Sequence, residues 1–269
     1  MPNCKICTLY SGSRGNCAYI SAGGANILID AGKSAKALCS ALKEINVDID
    51  SIDAIFITHE HRDHTSALQT LSHKHSIPIY ILLPSAEIFY GLKDEKLCNC
   101  LNIKLGDSFE VDVKGLHVKA FPTPHDSHAS VGYRIDLLDG DSTYASIGYA
   151  TDIGFVSHEV EEGLLRCDAV ILESNHDPDM LHRGPYPYDL KQRIASRRGH
   201  LSNPDSAAFA AKLFANGTRA LMLAHLSQEN NTPELALNEC LCTVGCENAC
   251  VRVAHPDCVT ELILEVAEQ

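Results

Sequence analysis

Short apolar runs separated by polar stretches recur along the whole chain, and they predict many β-strands interspersed with helices. Runs rich in Val, Ile and Leu that end at turn-forming residues are typical of buried strands. The strands predicted in this way span residues 25–29, 52–57, 77–82, 116–121, 131–137, 144–149, 169–172 and 219–223.

Apolar positions three and four residues apart predict helices at residues 34–45, 65–75, 157–166, 205–215 and 234–244. Two of these helices carry a start signal, because Asn203 and Thr232 can each cap a helix and each is followed by proline. The early strands come in clusters, whereas helices occur in both halves of the chain. This order favours an α+β architecture of two sheets packed face to face with helices outside over one doubly wound sheet.

Length and composition are those of an ordinary globular protein. The chain has 269 residues, enough for one large domain or two small ones, and 45% of them are hydrophobic. No stretch approaches the roughly 20 apolar residues of a membrane span, and the first five residues lack the apolar run of a signal peptide. We therefore expect a cytoplasmic location without a membrane partner. The sequence predicts no oligomeric state.

The net charge limits the kind of partner. It is 22 − 35 = −13, which argues against broad attraction to nucleic acid. A local basic groove stays open, because residues 191–198 carry four basic side chains and no acid. Arg193, Arg197 and Arg198 in this run, together with Ser202, are the candidate substrate-binding residues. A solvated helix face is the alternative interpretation.

Twelve cysteines are many for a cytoplasmic protein. Cys4 and Cys7 form a CxxC, but they lie in an N-terminal segment that reads as a strand, where alternate side chains face opposite ways. The cluster between Cys240 and Cys258 matches no paired-ligand spacing. Buried free thiols are therefore expected. A structural zinc site in the C-terminal cluster is the alternative.

The segment Thr58-His59-Glu60-His61-Arg62-Asp63-His64, directly after the predicted strand 52–57, is the strongest chemical signal in the chain. It places three imidazoles and the Asp63 carboxylate within six residues. Neutral imidazole and carboxylate together suit zinc, manganese or iron. Four candidate ligands are more than one ion usually takes from a single loop, so the spacing suggests two ions side by side. The alternative is a solvated loop that is rich in histidine.

Polar residues also follow several other predicted strands. Strand ends along one rim of a sheet can bring such residues together although they lie far apart in sequence. Taken alone, each is more often a turn residue or a buried histidine with its hydrogen bonds satisfied; the shared pattern is what favours a site. The residues are Asp30, His125, Asp152, Glu173, Asn175, His176 and His225.

These residues carry a family resemblance. The series Asp30, His59-x-His61-x-Asp63-His64, His125, Asp152 and His225 resembles the five motifs of the metallo-β-lactamase superfamily, in order. Segments 11–17, 151–154, 173–177, 199–202 and 224–231 are similar to the YycJ/WalJ group, whose members are described as metal-dependent nucleases acting on DNA. The resemblance implies a four-layer αββα sandwich, one domain over residues 1–269, with its site at the shared edge of the two sheets. The fold alone does not select a substrate.

The resemblance also implies a ligand set for two divalent ions, which would be zinc, manganese or iron. Asp30 would orient the loop of residues 59–64, called the histidine loop below, rather than bind metal. His128 is an alternative ligand to His125, although the Pro-His-Asp context favours His125. The implied set is His59, His61 and His125 for one ion, Asp63, His64 and His225 for the other, and Asp152 as the bridge.

Two ions about 3.5–4 Å apart activate a shared water and stabilise charge on a phosphate. Asp63 can accept the proton of that water, and His200 is the candidate that protonates the leaving oxygen or holds the phosphate. A structural role beside a helix cap is the alternative for His200. Glu173, Asn175 and His176 would orient ligands or touch substrate, and a purely structural role is equally open.

We therefore predict a metal-dependent hydrolase with a nucleic-acid substrate, a DNA exonuclease whose 5′-to-3′ polarity rests on the family resemblance. The alternative is a small-molecule hydrolase for a cyclic phosphodiester, thioester or lactam. The acidic charge and the lack of a large nucleic-acid-binding domain favour that alternative. A diiron redox protein is disfavoured, because His61 and His64 are intact and no flavin domain is visible.

Overall fold

Two β-sheets lie face to face in the computed structural model, which describes residues 4–91, 93–140, 142–246 and 249–264. The domain predicted over residues 1–269 extends beyond these residues at both ends. In spatial order, the first sheet contains β14 (Thr260–Leu262), β1 (Lys5–Tyr10), β2 (Cys17–Ala22), β3 (Ala25–Ile29), β4 (Ala54–Phe56), β5 (Ile79–Leu82) and β6 (Leu101–Lys104). The second contains β13 (Cys250–Val253), β12 (Ala220–Ala224), β11 (Ala169–Glu173), β10 (Ser142–Ala150), β9 (Val131–Asp139), β8 (Leu116–Pro122) and β7 (Phe109–Val113).

The helices of the described residues divide between the two halves of the chain. Those of the first half are α1 (Ala35–Glu44), α2 (Arg62–Thr65), α3 (Leu68–Lys74), α4 (Leu83–Tyr90) and α5 (Glu95–Cys100), with a short 3-10 helix at Ile49–Ser51. Those of the second half are α6 (His158–Leu164), α7 (Pro178–Arg183), α8 (Tyr188–Ile194), α9 (Asn203–Ala215) and α10 (Pro233–Val244). No helix in the described ranges is long and apolar enough to cross a membrane.

Alternating side chains along the strands produce the layers. In β3, Ile27 and Ile29 face the core between the sheets, whereas Leu28 packs with α1 on the outer face. In β11, Ile171 faces the same central core, and Leu172 packs with α9 and α10 outside. Each sheet is thus apolar on both faces and has helices on its outer side. This arrangement confirms the predicted αββα sandwich.

Tyr133 on β9 connects the two sheets next to the histidine loop. Its buried ring packs against Phe56, with ring centroids 5.7 Å apart, and its hydroxyl donates to the carbonyl oxygen of Ile57 at 2.5 Å. Two residues before Tyr133, the Val131 amide donates to the Thr58 carbonyl at 3.0 Å. The second sheet therefore holds the segment that leads from β4 into the histidine cluster.

Several local predictions differ from the structure. The predicted helix 65–75 is shorter in the structure, because α3 spans Leu68–Lys74 and Thr65 is the last residue of the separate short helix α2. The helix expected from residue 205 begins at Asn203, since the Ser202 hydroxyl accepts the Asp205 amide and is the actual cap. The described cysteines are free thiols, as expected, but Cys242, Cys246 and Cys258 are exposed rather than buried. None belongs to a group of three or more potential metal ligands among the described residues.

The Tyr133 hydroxyl provides a test of the contact between the sheets. Tyr133→Phe should lower the free energy of unfolding by about 1–2 kcal/mol, because it leaves the buried Ile57 carbonyl without this donor. Tyr144→Phe is the matched control, since the Tyr144 hydroxyl is buried without a hydrogen-bond partner. Urea denaturation of both variants measures the difference. Equal stabilities would contradict the assigned role of Tyr133.

Candidate metal centre

The carboxyl ends of six strands meet at one edge of the sandwich. Strands β3 and β4 are parallel, as are β10, β11 and β12, and β8 runs with β10 because both are antiparallel to β9. Residues at the ends of these strands, or directly after them, are therefore carried to the same edge of each sheet. They are Asp30, the histidine loop, His125, Asp152, Glu173 and His225.

The structure brings the candidate ligands into overlapping groups whose ligand atoms lie within 4.8 Å of one another. The groups are His59, His61 and His125; His59, His64 and Asp152; Asp63, His64 and His225; and Asp152, Glu173, His200 and His225. Asp152 lies between the first and third of these, with Oδ1 3.8 Å from His125 Nε2 and Oδ2 3.3 Å from His64 Nε2. This is the place that a bridging carboxylate would occupy.

Asp30 lies beneath the histidine loop. Its carboxylate is completely buried and accepts hydrogen bonds from the Thr58 amide at 2.8 Å and from His64 Nδ1 at 2.7 Å. Burial alone would lower the pKa of His64, but the charges of Asp30 and Asp152 raise that pKa well above its usual value. Because His64 Nδ1 is held by Asp30, its Nε2 is directed towards Asp63 and Asp152.

Glu173 has the corresponding position at the end of β11. One carboxylate oxygen accepts the amides of Ile153 and Leu201, at 2.8 and 3.1 Å. The other oxygen accepts Nδ1 of His200 at 2.8 Å and Nδ1 of His225 at 2.9 Å. Burial would raise the pKa of Glu173, but these two imidazoles lower it, so the carboxylate stays ionised. Glu173 thus orients both rings and leaves Nε2 of each available.

His59 and His125 are suited to bind metal as neutral imidazoles. Burial lowers the pKa of both rings, so that they keep a lone pair. The carbonyl of Gly199 lies 3.2 Å from Nδ1 of His125, which assigns the proton to that nitrogen and leaves Nε2 for a ligand. His128 lies outside the ligand groups: its ring and amide both bond to Glu60, and its side chain is 65% exposed.

Two buried atoms within the cluster fit a bound cation. Asp152 Oδ2 and His225 Nε2 are both buried without a hydrogen-bond partner in the described chain. Buried polar atoms are normally hydrogen-bonded, and a carboxylate oxygen and an imidazole nitrogen are ordinary ligands of zinc, manganese and iron. The residues present therefore fit divalent metal.

The backbone is strained at three of these positions. Asp30, Asp152 and His225 have φ values of 64°, 58° and 56°, in the left-handed region that costs a non-glycine residue about 1–3 kcal/mol. Hydrogen bonds hold His225 there: Ser11 Oγ accepts its amide at 2.7 Å, and Asn175 Nδ2 donates to its carbonyl at 2.8 Å. The conformation lets each side chain turn back into the cluster at the strand end.

Some residues of the site were not predicted as such. Asn16 Nδ2 lies 3.0 Å from His64 Nε2 and 3.3 Å from Asp63 Oδ2. Asn231 Nδ2 donates to the carbonyls of Ser174 and Asn175, and so supports the segment after β11. Both residues lie in segments that resemble the nuclease group. The sequence motif pointed to these segments, but only the structure shows which of their side chains contact the site.

The candidate substrate-binding residues have contacts within the protein. Arg193 pairs with Asp126, Arg198 donates to the His125 carbonyl from two nitrogens at 3.2 Å, and Arg197 stacks on the Phe155 ring at 3.8 Å. The Ser202 hydroxyl caps α9. Arg198 thereby supports His125, a candidate ligand. His176 is buried, and its carbonyl accepts the Asn203 amide.

Gly32 packs so closely against the backbone of Asp63 and Asn16 that it leaves no room for a side chain. A Cβ there would lie 1.5 Å from the Asp63 carbonyl oxygen and 2.6 Å from the Asn16 amide. Gly32→Ala should therefore displace Asp63 and weaken metal binding by about 10–100-fold. Gly91→Ala is the control, because its Cβ would come no closer than 3.7 Å to the Ile88 carbonyl. Competition with a chelator measures both affinities, and equal values would contradict this prediction.

Comparisons with known proteins identify the family of this chain. A family model described as "Beta-lactamase superfamily domain" matches residues 25–226. Exodeoxyribonuclease WalJ of Streptococcus pneumoniae serotype 2 is 34% identical over 236 residues, covering 86% of this chain and 85% of that protein. Exodeoxyribonuclease YycJ of Bacillus anthracis is 33% identical over 239 residues, covering 85% and 84%.

The fold has relatives among solved structures. The metallo-beta-lactamase fold protein YhfI from Bacillus subtilis superposes with a TM-score of 0.70 and 19% identity, over 96% of this chain and all of that one. At this identity the likeness shows the fold alone. Together, the family model and the two relatives confirm the predicted resemblance: this chain belongs to the metallo-β-lactamase superfamily and is a metal-dependent hydrolase.

Proposed function

We propose that this protein is a metal-dependent exonuclease that degrades DNA in the 5′-to-3′ direction. The observation that carries the proposal is its 33–34% identity, across most of both chains, to two proteins named exodeoxyribonucleases. The site adds chemistry that suits phosphodiester hydrolysis, because a partly exposed imidazole, His200, lies within the cluster, with Nδ1 3.6 Å from Asp152 Oδ1. A cytoplasmic location stays a prediction from the sequence.

Two divalent ions would be held by the ligand set given above, with Asp152 between them. When bound, such ions acidify water and stabilise the charge that develops on a phosphate. The donor set contains imidazoles and carboxylates without thiolate, which suits zinc, manganese or iron. Asp30 and Glu173 fix the ring orientations of three of the histidines before any ion binds.

Asp63 and His200 are the proposed proton carriers. Burial would raise the pKa of Asp63, but its hydrogen bond with His64 lowers that pKa, so the group is an ionised carboxylate at neutral pH. Asp63 accepts the proton of the water that attacks phosphorus. As the bond from phosphorus to the leaving oxygen breaks, Nε2 of His200 donates a proton to that oxygen. Glu173 holds the opposite ring nitrogen of His200.

A small-molecule phosphodiesterase or related hydrolase is the second candidate. The net charge of −13 and a cavity of about 190 Å³ beside the ligand groups favour it, since neither is typical of a protein that wraps long nucleic acid. The two candidates differ in the substrate that metal-loaded protein turns over.

The nuclease proposal predicts that protein loaded with manganese or zinc shortens end-labelled linear DNA. His61→Ala and Asp152→Ala should abolish this activity, because each removes a proposed ligand. His158→Ala is the matched control, since that side chain is 76% exposed on α6 and pairs with Glu162. Labels at the 5′ or 3′ end, read on a denaturing gel, report polarity. Hydrolysis of small esters with no shortening of DNA would favour the second candidate.

The role of His200 is tested separately. His200→Ala should lower kcat by about 10²–10⁴-fold, the usual contribution of a positioned acid or base, while bound metal measured by mass spectrometry stays unchanged. His182→Ala, an exposed histidine on α7, is the control. Unchanged turnover of His200→Ala would assign His200 a structural role.

A further inference from the structure

Helix α8 and the segment before it enclose a cavity that opens onto the metal centre. The cavity has a volume of about 190 Å³. Its lining includes His200 and His225 of the cluster together with Tyr186, Leu190 and Ile194. Any group in the cavity therefore lies directly beside the proposed reacting phosphate.

The wall formed by α8 contains two apolar side chains, Leu190 and Ile194, that the protein does not fully cover. None of the residues of α8 is buried, although Leu190 and Ile194 lie four positions apart on one face. Tyr186 is likewise only partly buried. Apolar and aromatic side chains at the mouth of a polar site are the surfaces on which nucleic-acid-binding proteins stack bases.

The charged and basic groups around the cavity are paired within the protein. The Arg193 guanidinium is paired with the Asp126 carboxylate, and Glu173 holds Nδ1 of both His200 and His225. The remaining polar contributions include hydroxyl groups of Ser13 and Ser227. This lining suits an uncharged base and sugar better than an anion.

The size of the cavity limits its occupant to about one nucleoside. Its volume of about 190 Å³ is below the roughly 300–1,000 Å³ of pockets for drug-sized ligands. We propose that the cavity binds the terminal nucleoside of a DNA strand, with its base stacked on Tyr186, so that the enzyme releases one nucleotide at a time. This inference rests on the proposed function and names the subsite that selects a strand end.

The test compares two end-labelled single-stranded oligonucleotides with manganese-loaded protein. One has a normal nucleotide at the end that the enzyme attacks, and the other has an abasic residue there. The native protein should cleave the normal end at least about fivefold faster in kcat/KM, the lower range for loss of one stacked base. Tyr186→Ala should lose this preference by slowing on the normal end alone, and Tyr186→Phe should retain it.

Tyr188→Ala is the matched control, because Tyr188 is 73% exposed in the same segment and does not line the cavity. It should keep the preference for the normal end. Equal rates of the native protein on both ends, or an equal loss on both ends in Tyr186→Ala, would overturn the subsite while leaving the nuclease proposal intact. DNA left intact by the native protein would overturn both proposals.

Discussion

The site depends on two buried carboxylates, one after a strand of each sheet. Asp30 and Glu173 are both completely buried, and an ionised carboxylate in such surroundings costs several kcal/mol unless hydrogen bonds compensate it. Backbone amides compensate part of this cost, and the ring nitrogens of His64, His200 and His225 supply the remaining donors described above. These hydrogen bonds fix the orientation of the three rings, and each ring presents its other nitrogen to the cluster.

The topology brings these two halves together. Parallel strand directions carry both carboxylates and the ligands to one edge, and contacts such as the Tyr133 hydroxyl with Ile57 set one sheet against the other. The segment that follows α8 then connects the cavity wall to a proposed metal ligand. Arg198 and Gly199 both bond to His125, and His200 follows directly. A proposed ligand and the proposed acid thus share one hydrogen-bonded unit.

Sequence predicted the parts of the fold that a buried pattern determines. Strand β3 agrees with its predicted bounds, and β8, β9 and β10 agree to within a few residues, because each is a buried apolar run. Strand β7 was not predicted, since none of its residues is fully buried. Helix α8 was not predicted for the same reason. None of its residues is buried, so its sequence shows only a run of basic residues.

The candidate ligands could be named from sequence because a metal requires particular atoms at particular strand ends. The residues that orient these ligands could not be named, since a hydrogen bond between distant segments produces no periodic pattern in the sequence. Asn16 and Thr58 are examples, and both contact the His64 ring. The basic run shows the converse. Its charges suggested a groove for nucleic acid, which stays a prediction, and the structure adds that Arg193 and Arg198 contact Asp126 and the His125 carbonyl.

The most direct test of this account is anomalous diffraction from crystals of the protein loaded with manganese or zinc. The account predicts two peaks, one among His59, His61 and His125 and the other among Asp63, His64 and His225, with Asp152 contacting both. A single peak, or peaks away from these side chains, would contradict the two-metal site.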